Sequence, residues 1–246
     1  MRVLVVTAVA AERDAVVAAL DGTGPPAELP GGSPLLRCAA GAATVVEVLA
    51  AGVGPAAAAA GTATALTAAA VVGQPYDLVV SAGIGGGFSP AAPLGAVVVA
   101  DAIVAADLGA ETPDGFVPVT ALGFGTVRHR PDPALVEAVA AAAGAVTGTV
   151  VTVSTVTGSA ARAAELAERH PGVRAEAMEG FGVAEAAAAH GVPVLEVRAV
   201  SNAVGPRDRA AWRIGDALAA LTDAFRTFPG ALVAAAAGPA PEPHRS

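Results

Sequence analysis

Asp77 to Ala82, DLVVSA, is an almost unbroken apolar run that leads straight into Gly83-Ile84-Gly85-Gly86-Gly87. A strand reads this way when both of its faces are covered, because a central strand of a parallel sheet has no solvated side to mark with polar residues. The run therefore commits the chain to a sheet with helices on each face. The rest of the sequence agrees. Apolar, β-branched runs at Arg2–Thr7, 35–39, 44–50, 95–105, 149–153 and 193–200 predict strands. Between them, Ala-rich stretches near 11–20, after Gly54-Pro55, and over 132–143, 160–169, 179–190 and 216–233 predict helices. Strands alternating with helices argue for an α/β fold around a mixed or parallel sheet. At 246 residues, 54% of them hydrophobic, the chain suffices for one large core. One domain is expected over residues 1–230, followed by a disordered Pro-rich tail over 231–246.

The glycine stretch suggests backbone N–H groups brought close to a ligand, a sugar or an anion, and its plainer reading is a tight turn after the central strand. It does not match a dinucleotide fingerprint: Gly83 and Gly85 fit the first two positions, but Phe88 takes the third, and Pro90 and Pro93 follow where a helix should open. All 14 basic residues are Arg. Without Lys the chain has neither a P-loop nor a Schiff-base amine. A net charge of −8 gives no electrostatic support for nucleic-acid binding. The lone Cys38 excludes an intrachain disulfide, and the four histidines lack close metal-ligand spacing, so no metal is expected. The short N-terminal apolar run is followed at once by Glu12, Arg13 and Asp14, and reads as a first strand rather than a signal peptide. A cytoplasmic protein is expected, with no membrane partner and no cofactor.

Polar residues concentrate between Ala177 and Arg213, where a carboxylate-bearing helix start is followed by a strand and a charged cluster. In α/β sheets ligands bind at the carboxyl ends of strands. Four stretches in order, AVAAERDAV (8–16), SAGIGGG (81–87), AMEGFG (177–182) and VRAVSNAVG (197–205), resemble the nucleoside phosphorylase and nucleosidase superfamily. The resemblance spans residues 2 to 225, and VSNAVGPRDRAAW (200–212) is most similar to the futalosine hydrolases of menaquinone biosynthesis. It implies a three-layer α/β/α sandwich around a mixed central sheet, a homo-oligomer, and hydrolysis of a purine nucleoside. For the futalosine hydrolases that reaction releases hypoxanthine and dehypoxanthine futalosine. A phosphorylase, a methylthioadenosine-type nucleosidase and a non-catalytic nucleoside-binding module are the alternatives.

What the resemblance implies for single residues can be set beside plainer readings. Glu12 stands where related nucleosidases keep a general-base glutamate, and is equally placed to be a helix first-turn carboxylate; Asp14 is the fallback. Glu179 is expected to accept the 2′ and 3′ ribose hydroxyls with Met178 beneath the sugar, whereas Glu176 and Glu185 read as helix-terminal carboxylates without a ligand. Asn202 stands where adenine-cleaving relatives have an aspartic acid. Its amide can donate to a 6-oxo group and accept from a protonated N7, which suits hypoxanthine. Arg198, in an apolar strand, must have a carboxylate partner such as Glu12 or Glu179. Ser81, Gly83, Ser201 and Val156 match family positions around the substrate, although Val156 replaces a stacking Phe. Arg207 and Arg209, with Trp212, are candidates to meet the benzoate that futalosine carries, or form a solvated loop around a core Trp.

Overall fold

Alternation along the first strand divides the molecule into its layers. In β1 (Arg2–Thr7), Val3 and Val5 join one buried cluster and Leu4 and Val6 another, as successive side chains of a strand must. The computed structural model describes residues 1–41 and 44–237. The elements after β1 are α1 (Ala10–Val17), β2 (Asp21–Thr23), β3 (Ala27–Glu28), β4 (Pro34–Ala40), β5 (Thr44–Ala50), α2 (Pro55–Val71) and β6 (Leu78–Gly87). Next come β7 (Val97–Ala105), β8 (Gly109–Thr112), β9 (Gly115–Pro118), β10 (Arg128–His129), α3 (Pro133–Ala143), β11 (Val146–Thr152) and α4 (Ala160–Arg169). The chain continues through β12 (Val173–Ala177), α5 (Gly180–Ala189), β13 (Val194–Ala203), a short 3₁₀ turn at Arg209–Ala211, and α6 (Ile214–Ala237).

Val3 and Val5 pack with Val46, Val48, Leu78 and Val80 against α1, α3 and α6. Leu4 and Val6 pack with Leu49 and Val79 against α2 and α5. The result is the expected α/β/α layering, and each fully buried Val or Leu contributes about 1.5–3 kcal/mol. The helices start where local chemistry frees them from the strand before. Pro55 occupies the first turn of α2, where its missing N–H costs nothing. Asp132 caps α3 by accepting from Ala134 N at 2.8 Å, and Ser159 caps α4 by accepting from Arg162 N at 3.2 Å.

The large sheet is mixed and runs β10-β7-β11-β12-β6-β1-β5-β4-β2 along one path. Strand β13 lies parallel to β6 and antiparallel to β7, so β6, β13, β7, β11 and β12 close on one another. One flank of β6 is divided between two partners. Val3–Val6 pair with 78–81, Glu176 and Ala175 pair with Gly86 and Gly87, and between them the edge of β6 opens.

Two expectations change. The glycine stretch is the second half of β6, in register with Arg198 through Ala203 of β13, and not a turn. Glycine is rare inside strands, but it is admitted where another group must approach the backbone. The tail expected from residue 231 is helical through Ala237, with Ala231 and Leu232 buried against the core; residues 238–246 lie outside the described residues. Strand β12 and the β8–β9 hairpin have no counterpart in the predicted elements.

A buried polar cluster fastens β5 to its surroundings. Glu47, 1% exposed, accepts from Arg2 Nη2 at 2.6 Å, Arg37 Nε at 2.9 Å and Tyr76 Oη at 2.7 Å. Burial alone would raise the pKa of this carboxyl, but the three donors outweigh it and hold it below the usual glutamate value. Its contribution is therefore complete above the unfolded value of about 4.3 and is lost as pH falls through the lower folded value. Glu47→Gln is expected to lower stability by about 2–3 kcal/mol at pH 7 and to flatten the loss of stability below pH about 4.3, as read by urea unfolding across pH.

Candidate active site

The opening in the flank of β6 is where the polar residues gather. Gly83 and Arg198 are in register on neighbouring strands, and Gly83 carries no Cβ. A Cβ built there would sit 2.5 Å from Glu12 Oε1 and 2.7 Å from Arg198 Nη1. The bare glycine therefore lets the Arg198 guanidinium cross β6 toward the carboxylate arriving from α1. Ile84 N, which has no strand partner on the open flank, donates to Glu12 Oε1 at 2.9 Å.

Arg198 is wholly buried, and its Nη1 makes no hydrogen bond. Its Nε donates to Glu196 Oε1 at 2.9 Å, its Nη2 donates to Ser81 Oγ at 2.9 Å, and its Nη1 lies 3.3 Å from Glu179 Oε2. Burial opposes the charge, yet Glu196, Glu179 and Glu12 together raise the Arg198 pKa above its ordinary value. Glu196 is also wholly buried, its Oε2 has no hydrogen-bond partner, and burial raises its pKa. The expectation that Arg198 needs a carboxylate is met by Glu179 and, in addition, by Glu196. The signal was local: residues 196 and 198 share one face of an apolar strand and carry opposite charges.

The helix first-turn reading of Glu12 holds. Oε2 accepts from Ala8 N at 3.0 Å and Val9 N at 3.2 Å, capping the free N–H groups at the start of α1, while Oε1 faces β6. Glu179 opens α5 and joins two loops, since its Oε1 accepts from Gly54 N at 3.1 Å ahead of α2. Asn202 ends β13. Its Oδ1 accepts from Ser201 Oγ at 2.9 Å and its Nδ2 donates to Ala203 O at 3.1 Å. One N–H and one lone pair of the amide stay available.

One cleft is lined by Glu12, Glu179, Met178, Ser201, Asn202, Val156 and Arg207, together with Gly85, Gly86, Thr157, Glu176 and Trp212. Ser81, Gly83 and Arg198 stand behind its wall and reach it only through Glu12 and Glu179. Arg207 and Arg209 flank the Trp212 ring, 5.2 and 5.8 Å from its centre, but Arg209 does not line the cleft. Asp14 pairs with Arg13 at the surface, and Glu185 is half-exposed beside His129 at 2.6 Å. Glu176 is corrected: it belongs to β12, is 5% exposed, and accepts from Thr157 N at 2.9 Å and from Thr157 Oγ1.

The arrangement suits cleavage of a bond between a sugar and a base. Two carboxylates, Glu179 paired with Arg198 and Glu12 held by backbone N–H groups, stand near an amide that has a donor and an acceptor to offer. The sequence matches the Phosphorylase superfamily over residues 2–236. It is 70% identical to a futalosine hydrolase of Streptomyces coelicolor over 91% of this chain and 93% of that protein. It is 47% identical to one from Acidothermus cellulolyticus, over 90% and 88%. A 5′-methylthioadenosine/S-adenosylhomocysteine nucleosidase from Colwellia psychrerythraea, solved with adenine, shares the fold with a TM-score of 0.80 at 22% identity, over 94% of this chain and 96% of that one. The chain belongs to the phosphorylase superfamily and, within it, to the futalosine hydrolase family.

Arg198→Met would leave Glu179 and Glu196 buried without a cation, and is expected to cost about 3–5 kcal/mol of stability by urea unfolding. Gly83→Ala keeps every charge but must displace Glu12 or Arg198. It is expected to lower kcat/KM about a hundredfold while changing stability less than Arg198→Met does.

Proposed function

We propose that the protein hydrolyses the N-glycosidic bond of futalosine, releasing hypoxanthine and dehypoxanthine futalosine, as a step of menaquinone biosynthesis. The observation that carries the reading is that Glu12, Glu179 and Asn202 line one cleft, with Glu179 paired to the buried Arg198. The 70% identity to a named futalosine hydrolase supports it independently.

In this reading Glu179 accepts the 2′ and 3′ hydroxyls of the ribose, and Met178 packs beneath the ring. A water held by Glu12 attacks the anomeric carbon as the bond to the base breaks through an oxocarbenium-like centre. Glu12 takes the water proton as general base. The departing hypoxanthine carries the bonding electrons onto its ring, and a proton from solvent reaches N7. Asn202 donates its free N–H to O6 and accepts from that N7–H. The Ser201 hydroxyl on Oδ1 sets which end of the amide faces which atom. Arg207, on the exposed rim beside Trp212, meets the benzoate carboxylate. A cytoplasmic homo-oligomer belongs to the same reading, on the resemblance to superfamily members.

Incubation with futalosine and with 6-amino-6-deoxyfutalosine in phosphate-free buffer, followed by assay of free base, is expected to show release from futalosine alone. No release from futalosine would refute the reading. Glu12→Gln should lower kcat about 10²–10⁴-fold with KM little changed. Asn202→Asp should shift the ratio of kcat/KM toward the 6-amino substrate by about tenfold or more. Arg207→Ala should raise KM for futalosine more than Arg209→Ala does.

A further inference from the structure

Glu176 has no part in the reaction just described, yet it is a buried carboxylate on the wall of the same cleft. The sheet register shows what it faces. Gly86 of β6 is paired on one side with Asn202 of β13 and on the other with Glu176 of β12. Residues in register on adjacent strands project from the same face. The Asn202 amide and the Glu176 carboxylate thus flank Gly86, their backbones separated by two strand spacings, roughly 9.6 Å. Gly86 leaves no room for a side chain between them, since a Cβ there would lie 2.9 Å from Val204 Cγ2 and 3.2 Å from Asn202 Nδ2, which pack over the glycine.

The carboxylate is also fixed in direction. Thr157 clamps it with its backbone N–H on Oε1, at 2.9 Å, and its hydroxyl on Oε2. Two donors occupy about half of the four acceptor sites a carboxylate offers. No arginine pairs with it among the described residues. What remains is a buried acceptor, positioned by its neighbours, on the far side of Gly86 from the amide.

We propose that Glu176 is a second base-reading residue, accepting a hydrogen bond from the N1–H of a 6-oxopurine whose O6 and N7 lie against Asn202. This rests on the reading of the site given under Proposed function. A 6-oxopurine carries a proton on N1, which a carboxylate accepts. A 6-aminopurine presents a lone pair at N1, and a carboxylate facing it repels. One side chain thus favours the right base and penalises the wrong one. Asn202 reads the O6/N7 edge and Glu176 the N1 edge, so that the two are independent tests of the same ring.

The experiment compares kcat/KM for futalosine and 6-amino-6-deoxyfutalosine in the wild type and in Glu176→Gln. The glutamine keeps the shape and an oxygen for Thr157, but places an N–H₂ group within reach of N1. The expected result is a shift of the ratio toward the 6-amino substrate of at least about tenfold, which is about 1.4 kcal/mol of discrimination. Equal loss on both substrates would overturn the proposal, leaving Glu176 as a holder of Thr157 alone, and an unchanged ratio would overturn it too. Should Glu176→Gln not fold, N1-methylated futalosine tests the same contact in the wild type. Poor cleavage of it is expected, and cleavage equal to that of futalosine overturns the proposal. A wild type that does not cleave futalosine at all would remove the underlying reading as well, whereas an unchanged ratio with normal futalosine cleavage removes only this inference.

Discussion

One guanidinium without solvent contact sets the chemistry of this molecule. Arg198 meets Glu196, Glu179 and Ser81 directly and lies with Glu12 over Gly83, so its positive charge is consumed by carboxylates before any ligand arrives. A buried cation of this kind survives only when it is paired. Here the partners are Glu196 on the same strand and Glu179 at the start of α5, while Glu12 of α1 is held nearby by the backbone N–H of Ile84. The cleft in front is lined by Glu12, Glu176 and Glu179, and Arg207 is the only arginine among the described residues that line it. Such a wall favours a neutral nucleophile. Phosphate would have to approach three carboxylates with Arg198 already engaged, which weighs against phosphorolysis and for water.

The opening that admits this cluster follows from the sheet. Because β6 changes partner from β1 to β12, the N–H of Ile84 has no strand to bond to and turns to Glu12. Closing of β6, β13, β7, β11 and β12 on one another then carries Asn202 and Glu176 to either side of Gly86. Much of the cleft lining thus comes from residues whose directions the strands fix, and the charged loop with Arg207 and Trp212 adds the rim.

Much of this was legible beforehand, and the parts that were not share a cause. Apolar runs with clear periodicity gave β1, the first half of β6, and α4 at its observed bounds. The glycine half of β6 reads as a turn because strand propensity is a statement about packing side chains, and glycine has none. Only the pairing of β13 along its length makes it a strand. Glu12, Glu179 and Asn202 stood out because each follows an apolar run within a stretch that resembles the nucleosidase superfamily. Glu196 and Glu176 also interrupt apolar runs, but what each carboxylate touches depends on register. Glu176 faces Thr157, 19 residues away in sequence, and no spacing rule predicts that contact.

The family relationship and the geometry meet at Asn202. The Colwellia nucleosidase shares the fold at 22% identity, so the scaffold alone does not select the base. In this chain the cleft presents an amide hydrogen-bonded by Ser201, opposite a carboxylate held by Thr157, and the proposed selection rests on these two.

The central claim, that a guanidinium already engaged by carboxylates leaves water as the nucleophile, is tested most directly by the sugar product formed when futalosine is supplied with inorganic phosphate in excess. The account predicts free dehypoxanthine futalosine, at a rate that phosphate does not increase. A sugar 1-phosphate, formed in proportion to the phosphate added, would contradict it.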